Sequence, residues 1–144
     1  MRYLIEIFAA FFGTLGFAVV LRSKKEHLAA LSVGGALSWL VYILSSFAID
    51  SEPFCYFIAA AVVAIYAEVF ARIFKTPTTN ILIPALLPMI PGGGLYYTMR
   101  FAISKDWQSF FSRGGATLAI ALAIALGIIS VSTVTRLILS RDNH

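Results

Sequence analysis

The chain has 144 residues, 60% of them hydrophobic and only 12% charged, and its mean hydropathy is +0.88. A soluble domain carries about 25% charged residues, so these values point to a polytopic membrane protein with no mass left for a separate soluble catalytic domain. The net charge of +4 resides in loops beside apolar runs, as orientation in a bilayer requires, and does not imply a nucleic-acid partner.

Residues 3–21 form the first apolar run, which at about 1.5 Å per residue just spans a hydrocarbon core of about 30 Å. Arg22-Ser23-Lys24-Lys25-Glu26-His27 follows it in place of a small-residue cleavage site, so the run reads as a retained helix. Glu6 reads as interfacial and His27 as solvated among the loop charges. Residues 28–49 form the second run, with Ala30, Gly34 and Ser38 spaced by four, a small face that lets helix backbones approach closely in lipid. Asp50-Ser51-Glu52-Pro53 makes an acidic turn whose proline fits the first turn of the next helix. The lone cysteine, Cys55, rules out an intramolecular disulfide and reads as a small apolar filler.

Residues 54–74 form the third run, placing Ala60, Ala64, Glu68 and Arg72 on one predicted protein-facing stripe. Glu68 lies about 9 Å inside the end of the run, too deep for a short side chain to reach water easily. Two readings are open: an ion pair in which Arg72 snorkels to the interface, or a proton-coupling site.

After a polar hinge at residues 75–80, residues 81–103 are apolar enough to cross a bilayer yet cannot form one regular helix. Pro84, Pro88 and Pro91 each remove a donor and crowd a carbonyl about four residues back, and Gly92, Gly93 and Gly94 follow. The freed carbonyls are predicted near Asn80, Pro84 and Leu87. Irregular backbone at membrane depth survives only where it is buried in protein or faces a wet cavity, so a break near residues 91–94 points to a pathway. A helix restarting there would present the N–H groups of Gly93, Gly94 and Leu95 to a carboxylate, with hydroxyls from Tyr96, Tyr97 and Thr98. Pro88, Pro91, Gly92, Gly93, Gly94, Tyr96, Tyr97 and Thr98 are therefore the candidate substrate-binding residues.

Residues 104–113 are too polar to span; Trp107, Phe110 and Phe111 at i, i+3 and i+4 predict a short interfacial helix. Residues 114–135 form the last span, with Gly115, Ala119, Ala123 and Gly127 as its predicted packing face, and Arg136 to His144 a charged tail. The expected fold is a single all-α integral membrane domain over residues 1–144. It has about five transmembrane helices, the fourth broken by the Pro/Gly-rich motif, plus the interfacial segment. Counting basic residues favours an outside N-terminus but does not separate a crossing of 81–103 from re-entry.

The run from Pro84 to Met99, behind a helix ending in Arg72 and a hinge at Pro77, resembles the signature of the bacterial threonine/serine exporter family. In length and helix order the chain is similar to the small membrane subunit of the split type, the equivalent of the C-terminal membrane half of the fused exporters. The resemblance implies export of small hydrophilic metabolites, threonine and serine or a dicarboxylate such as succinate, across the bacterial cytoplasmic membrane. It also implies a larger membrane partner subunit and energy from the proton gradient, with room for homo-oligomerisation. No G-x-x-x-x-G-K-[ST] phosphate loop occurs, in keeping with a secondary transporter. A non-transporting assembly or stability subunit is the alternative. No nucleophile-base set, metal-ligand cluster or H-E-x-x-H is present, so no enzyme activity, cofactor or metal is expected.

Overall fold

A computed structural model describes residues 1–141, with side chains through residue 138. It contains six α-helices: α1 (Arg2–Val20), α2 (Leu28–Ala48), α3 (Glu52–Ile73), α4 (Thr79–Leu86), α5 (Gly92–Ile103) and α6 (Trp107–Arg141). One-turn 3-10 segments lie at Lys25–His27 and Leu87–Met89, and no strand occurs among the described residues. α1, α2, α3 and α6 are each long and apolar enough to cross a bilayer, and α4 and α5 qualify together as a pair bent by 57°. The all-helical membrane fold with a broken fourth segment is as the sequence predicts.

The direction of α6 decides how that pair runs. Ile120 packs beside Tyr56, whereas Val131 packs against the cluster containing Val63 and Ala67, so α6 runs parallel to α3. The start of α6 is therefore at the Glu52 end of α3, and α4 and α5 together carry the chain there from the Ile73 end. The bent pair traverses the bundle and does not turn back. Gly127 sits level with Ala60, which leaves residues 107–118 projecting about 18 Å past the start of α3 at about 1.5 Å per residue. Arg22, Lys24, Lys25, Arg72, Lys75 and Arg136 gather at one end of the bundle, and Arg2, Arg100, Lys105 and Arg113 at the other.

The interfacial helix predicted over 104–113 is not a separate element. After a turn at Ser104–Asp106 the aromatic stretch forms the first turns of α6 itself. The Asp106 carboxylate accepts the Ser109 N–H at 3.2 Å, an N-cap that starts the long helix where the chain reverses. Hydrogen bonds from the Ser109 side chain and N–H hold that carboxyl below its ordinary range. At the other end, α6 continues through Arg141 instead of stopping at Thr135, and residues 142–144 of the predicted tail lie outside the described residues.

The predicted stripe on α2 packs as expected, with Gly34 and Ser38 buried and Ala30 half-buried, but the longer stripes on α3 and α6 drift off the faces they were assigned to. At about 100° per residue each i+4 step turns the helix by about 40°, so three steps leave a face altogether. On α3, Ala60 and Ala64 are buried, but Glu68 is only half-buried and Arg72 is exposed; Ala67 and Ala71 continue the packed face. On α6, Gly115 and Ala119 are exposed and Ala123 half-buried. The packed positions are Thr117, Ile120, Ile124, Gly127 and Val131, alternating steps of three and four as in coiled-coil packing.

Small residues set the distances between these helices. A Cβ on Gly127 would stand 2.7 Å from the Phe57 carbonyl oxygen, so α3 and α6 are in backbone contact there. Gly34 lies under the Tyr66 ring, whose hydroxyl donates to the Ala30 carbonyl at 2.7 Å and ties α3 to α2. The Thr14, Ser38 and Thr117 hydroxyls donate to carbonyls three or four residues back in their own helices, which removes the cost of burying them. α1, α3 and α5 end alike, with a basic residue in the left-handed region (Arg22, Lys75, Lys105) and the next N–H bonded five residues back. These are Schellman-type caps in which a cation meets the negative end of the helix dipole.

His27, expected in water, is buried, its ring stacked on Phe74 with centroids 4.4 Å apart. The 3-10 turn feeds straight into α2 and sets His27 against the end of α3. Cys55 is buried, as a filler would be.

Gly127→Ala, which must push α6 off the Phe57 backbone, should cost about 1–3 kcal/mol, while Gly115→Ala, with nothing within 4 Å, should cost less than about 0.5 kcal/mol. Thermal melting of the two variants in one detergent measures the difference.

Candidate functional site

The break in the fourth span is assembled from three tight turns. The Leu87 N–H bonds to the Pro84 carbonyl, and the Ile90 N–H to the Leu87 carbonyl at 3.2 Å. The Gly92 N–H then bonds to the Ile90 carbonyl at 2.7 Å around Pro91, whose φ of −75° and ψ of 57° make an inverse γ-turn. Two of the carbonyls predicted to be free, those of Pro84 and Leu87, are thus paired within the segment. A proline removes an i+4 donor, and i+3 and i+2 bonds replace it at the cost of a bend.

The Pro88 and Met89 carbonyls accept no backbone N–H among the described residues, and the donor side is open as well. The Leu95 N–H, predicted to face a ligand, bonds to the Pro91 carbonyl at 3.1 Å, and the Gly92 N–H is taken by the γ-turn. Among the described residues the N–H groups of Gly93 and Gly94 have no acceptor, so the first turn of α5 offers two donors where four were conceivable.

The two glycines differ in what surrounds them. A Cβ on Gly93 meets nothing within 4 Å, and Gly92 is equally open, so ligands can approach that backbone. A Cβ on Gly94 would collide with the Thr117 hydroxyl, so Gly94 is a packing residue of the α5–α6 seam. Thr98 belongs to the same seam: its hydroxyl donates to the Gly94 carbonyl at 2.7 Å, and its methyl would lie 3.2 Å from a Cβ on Gly114. Tyr96 and Tyr97 are exposed, edge to face at 5.4 Å, on a helix that buries none of its residues. Pro88 is half-buried and Pro91 lies at the bend. The structure therefore gathers Pro91, Gly92, Gly93 and Gly94 at one place and assigns Thr98 to packing.

Beside the break, between α5 and α6, lies a cavity of about 670 Å³ lined by Ile90, Pro91, Leu95, Phe111, Leu118 and their neighbours. Its wall is apolar apart from the Thr98 and Thr117 hydroxyls, both already donating to their own helices. It suits an acyl chain or an apolar side chain.

On the opposite side of the break stand Trp39, Tyr42 and Tyr56, which the sequence reading did not single out, together with Glu6, which it did. Met89 is buried against Tyr56, with Tyr42 packed on the same cluster. The Tyr42 and Tyr56 rings are 4.5 Å apart, Trp39 tilts on Tyr42 at 5.1 Å, and the Trp39 Nε1–H donates to Glu6 at 3.3 Å. The other Glu6 oxygen accepts from Arg2 at 3.1 Å. The available signal was the placement of Trp39 and Tyr42 three residues apart in an otherwise apolar run, where a polar tip needs a partner.

Glu68 and Arg72 are not brought together. The only ion pair among the described residues is Arg2–Glu6, so the predicted pairing on α3 is not formed. The two are neighbours at i and i+4, but Arg72 is exposed, Glu68 is half-buried, and their charged ends do not come within ion-pair distance.

If Gly94 is held by packing, Gly94→Ala should cost about 1–3 kcal/mol, and adding Thr117→Ala should restore most of it by vacating the collision. Gly93→Ala should change stability by less than about 0.5 kcal/mol. Melting temperatures of these variants form the measurement.

A family model described as Threonine/Serine exporter, ThrE, matches residues 6–134, nearly the whole chain. No curated protein and no solved structure gives a match.

Proposed function

Because the chain belongs to the threonine/serine exporter family, we propose that it is a subunit of a secondary transporter exporting small hydrophilic metabolites across the bacterial cytoplasmic membrane. The observation that carries this reading is the family match over residues 6–134, reinforced by a membrane-length span whose helix is interrupted inside the bundle. The cargo is threonine, serine or a dicarboxylate such as succinate. All carry a carboxylate, and the unpaired N–H groups of Gly93 and Gly94 at the start of α5 are its proposed seat. Tyr96 and Tyr97 supply hydroxyls to the cargo's polar end.

Energy comes from the proton gradient, with Glu68 the proton-coupling residue and Arg72 modulating it from the membrane surface. The end bearing Arg22, Lys24, Lys25, Arg72, Lys75 and Arg136 faces the cytoplasm, where basic residues accumulate. A larger membrane subunit of the same family completes the site. The alternative, a non-transporting assembly subunit, is favoured by one feature: α5 has no fully buried residue, and its face away from α6 is open to a partner helix.

Counterflow of labelled serine, threonine and succinate in proteoliposomes separates the two. Exchange of at least one solute by the chain with its larger subunit is expected; no exchange of any of them would favour assembly. Gly93→Val should abolish exchange while leaving the complex intact, because a side chain there meets ligand space and not protein. Glu68→Gln should flatten the pH dependence of exchange, and an unchanged pH profile would remove Glu68 from the coupling role.

A further inference from the structure

At the end of the bundle where Arg22, Lys24, Arg72 and Lys75 gather, a cavity of about 320 Å³ lies between the α1–α2 turn and α4, reaching to Pro84. Arg22, Lys24, His27 and Asn80 line it, and Leu21 and Ile83, both exposed, form its apolar edge. No carboxylate lines it, and neither cation has an acidic partner within 4.0 Å among the described residues. Its walls are fixed. The turn carrying Arg22 is pinned by the Arg22 N–H on Val19 and the Ser23 N–H on Ala18, both at 3.0 Å. His27 is buried against Phe74, and the Asn80 amide donates to the Thr76 hydroxyl at 3.1 Å.

We propose that this cavity is an oxyanion site, taking the phosphate of an anionic phospholipid headgroup or a soluble phosphate or carboxylate. The chemistry follows from the lining. Two unpaired cations and a buried imidazole face a space too small for a folded partner and roomy enough for a phosphoryl or carboxylate group. A lipid phosphate has a second fit, since the cavity opens along Leu21 and Ile83, where acyl chains can leave toward the hydrocarbon. Basic pockets between transmembrane helices bind anionic headgroups in this way. The site is remote from the glycines of α5 and stands independently of the transport reading.

The test is lipid and anion binding by the full chain in neutral detergent, followed by native mass spectrometry and by thermal melting. Phosphatidylglycerol should remain bound and raise the melting temperature, and phosphatidylcholine should not. The double variant Arg22→Gln/Lys24→Gln should weaken phosphatidylglycerol binding about tenfold or more. The control Lys25→Gln/Lys75→Gln removes the same charge from the same end without touching the cavity, and should stay within about twofold of the parent. Asn80→Ala, with both cations intact, should give an intermediate loss and guards against a folding defect in the double variant. Inorganic phosphate and succinate as competitors identify the source: displacement of the lipid shows that the site accepts soluble oxyanions, and resistance assigns it to the headgroup. Equal loss in the two double variants, or no retained lipid and no shift with either soluble anion, would overturn the proposal.

Discussion

In hydrocarbon an unpaired backbone carbonyl costs several kcal/mol, and the span from α4 to α5 contains three prolines, each of which deletes a donor. The chain meets that constraint by shortening its hydrogen bonds in sequence. Pro84 is answered by Leu87, Leu87 by Ile90 and Ile90 by Gly92, so the ladder passes from α-helix through a 3-10 turn to a γ-turn. The 57° bend is the geometric result. When a new helix starts at Gly92, two N–H groups are left over. The Pro88 and Met89 carbonyls on the other side of the break accept no backbone N–H among the described residues either, so the interruption exposes acceptors as well as donors, and the donors are the groups an anionic ligand would use.

Around this segment the bundle is held by small residues. Ala59, Ala60, Ala64, Ala67 and Ala71 give α3 a face of small side chains on which α2, α4 and α6 pack, α6 reaching backbone contact at Gly127. Dispersion between closely approaching backbones is the available glue where lipid tails remove the hydrophobic drive between helices. Large side chains are sent to the lipid side, as with Leu118, Leu122 and Leu126 on α6. α5 lies outside this arrangement: it packs on α6 through Gly94 and Thr98 and leaves its remaining surface unclaimed.

Apolar run lengths were enough to read the membrane fold, and proline with glycine enough to locate the break, because both depend on local backbone chemistry. Four-residue spacing found the packed face of α2, where Ala30 and Gly34 meet Tyr66 of α3 and Ser38 is buried, but not those of α3 and α6 over their full length. Ala60 and Ala64 share a face, but by Arg72 the helix has turned away, and on α6 the true seam runs through Thr117, Ile120 and Ile124. His27 looked solvated because its neighbours are charged, and only the tertiary meeting of α2 with Phe74 buries it. The carbonyls of Pro84 and Leu87 looked free because the proline rule deletes one bond and says nothing of the shorter bond that replaces it. The Glu6, Trp39, Tyr42 and Tyr56 group joins three helices, and no single stretch of sequence displays it.

Everything proposed for the site rests on the Gly93 and Gly94 amides being left without acceptors where the fourth span is interrupted. Hydrogen–deuterium exchange of the protein in lipid nanodiscs tests it directly. Fast exchange is expected at Gly93 and Gly94, with strong protection at Ala60 and Ala64 in α3. Protection at the two glycines equal to that of the α3 core would contradict it.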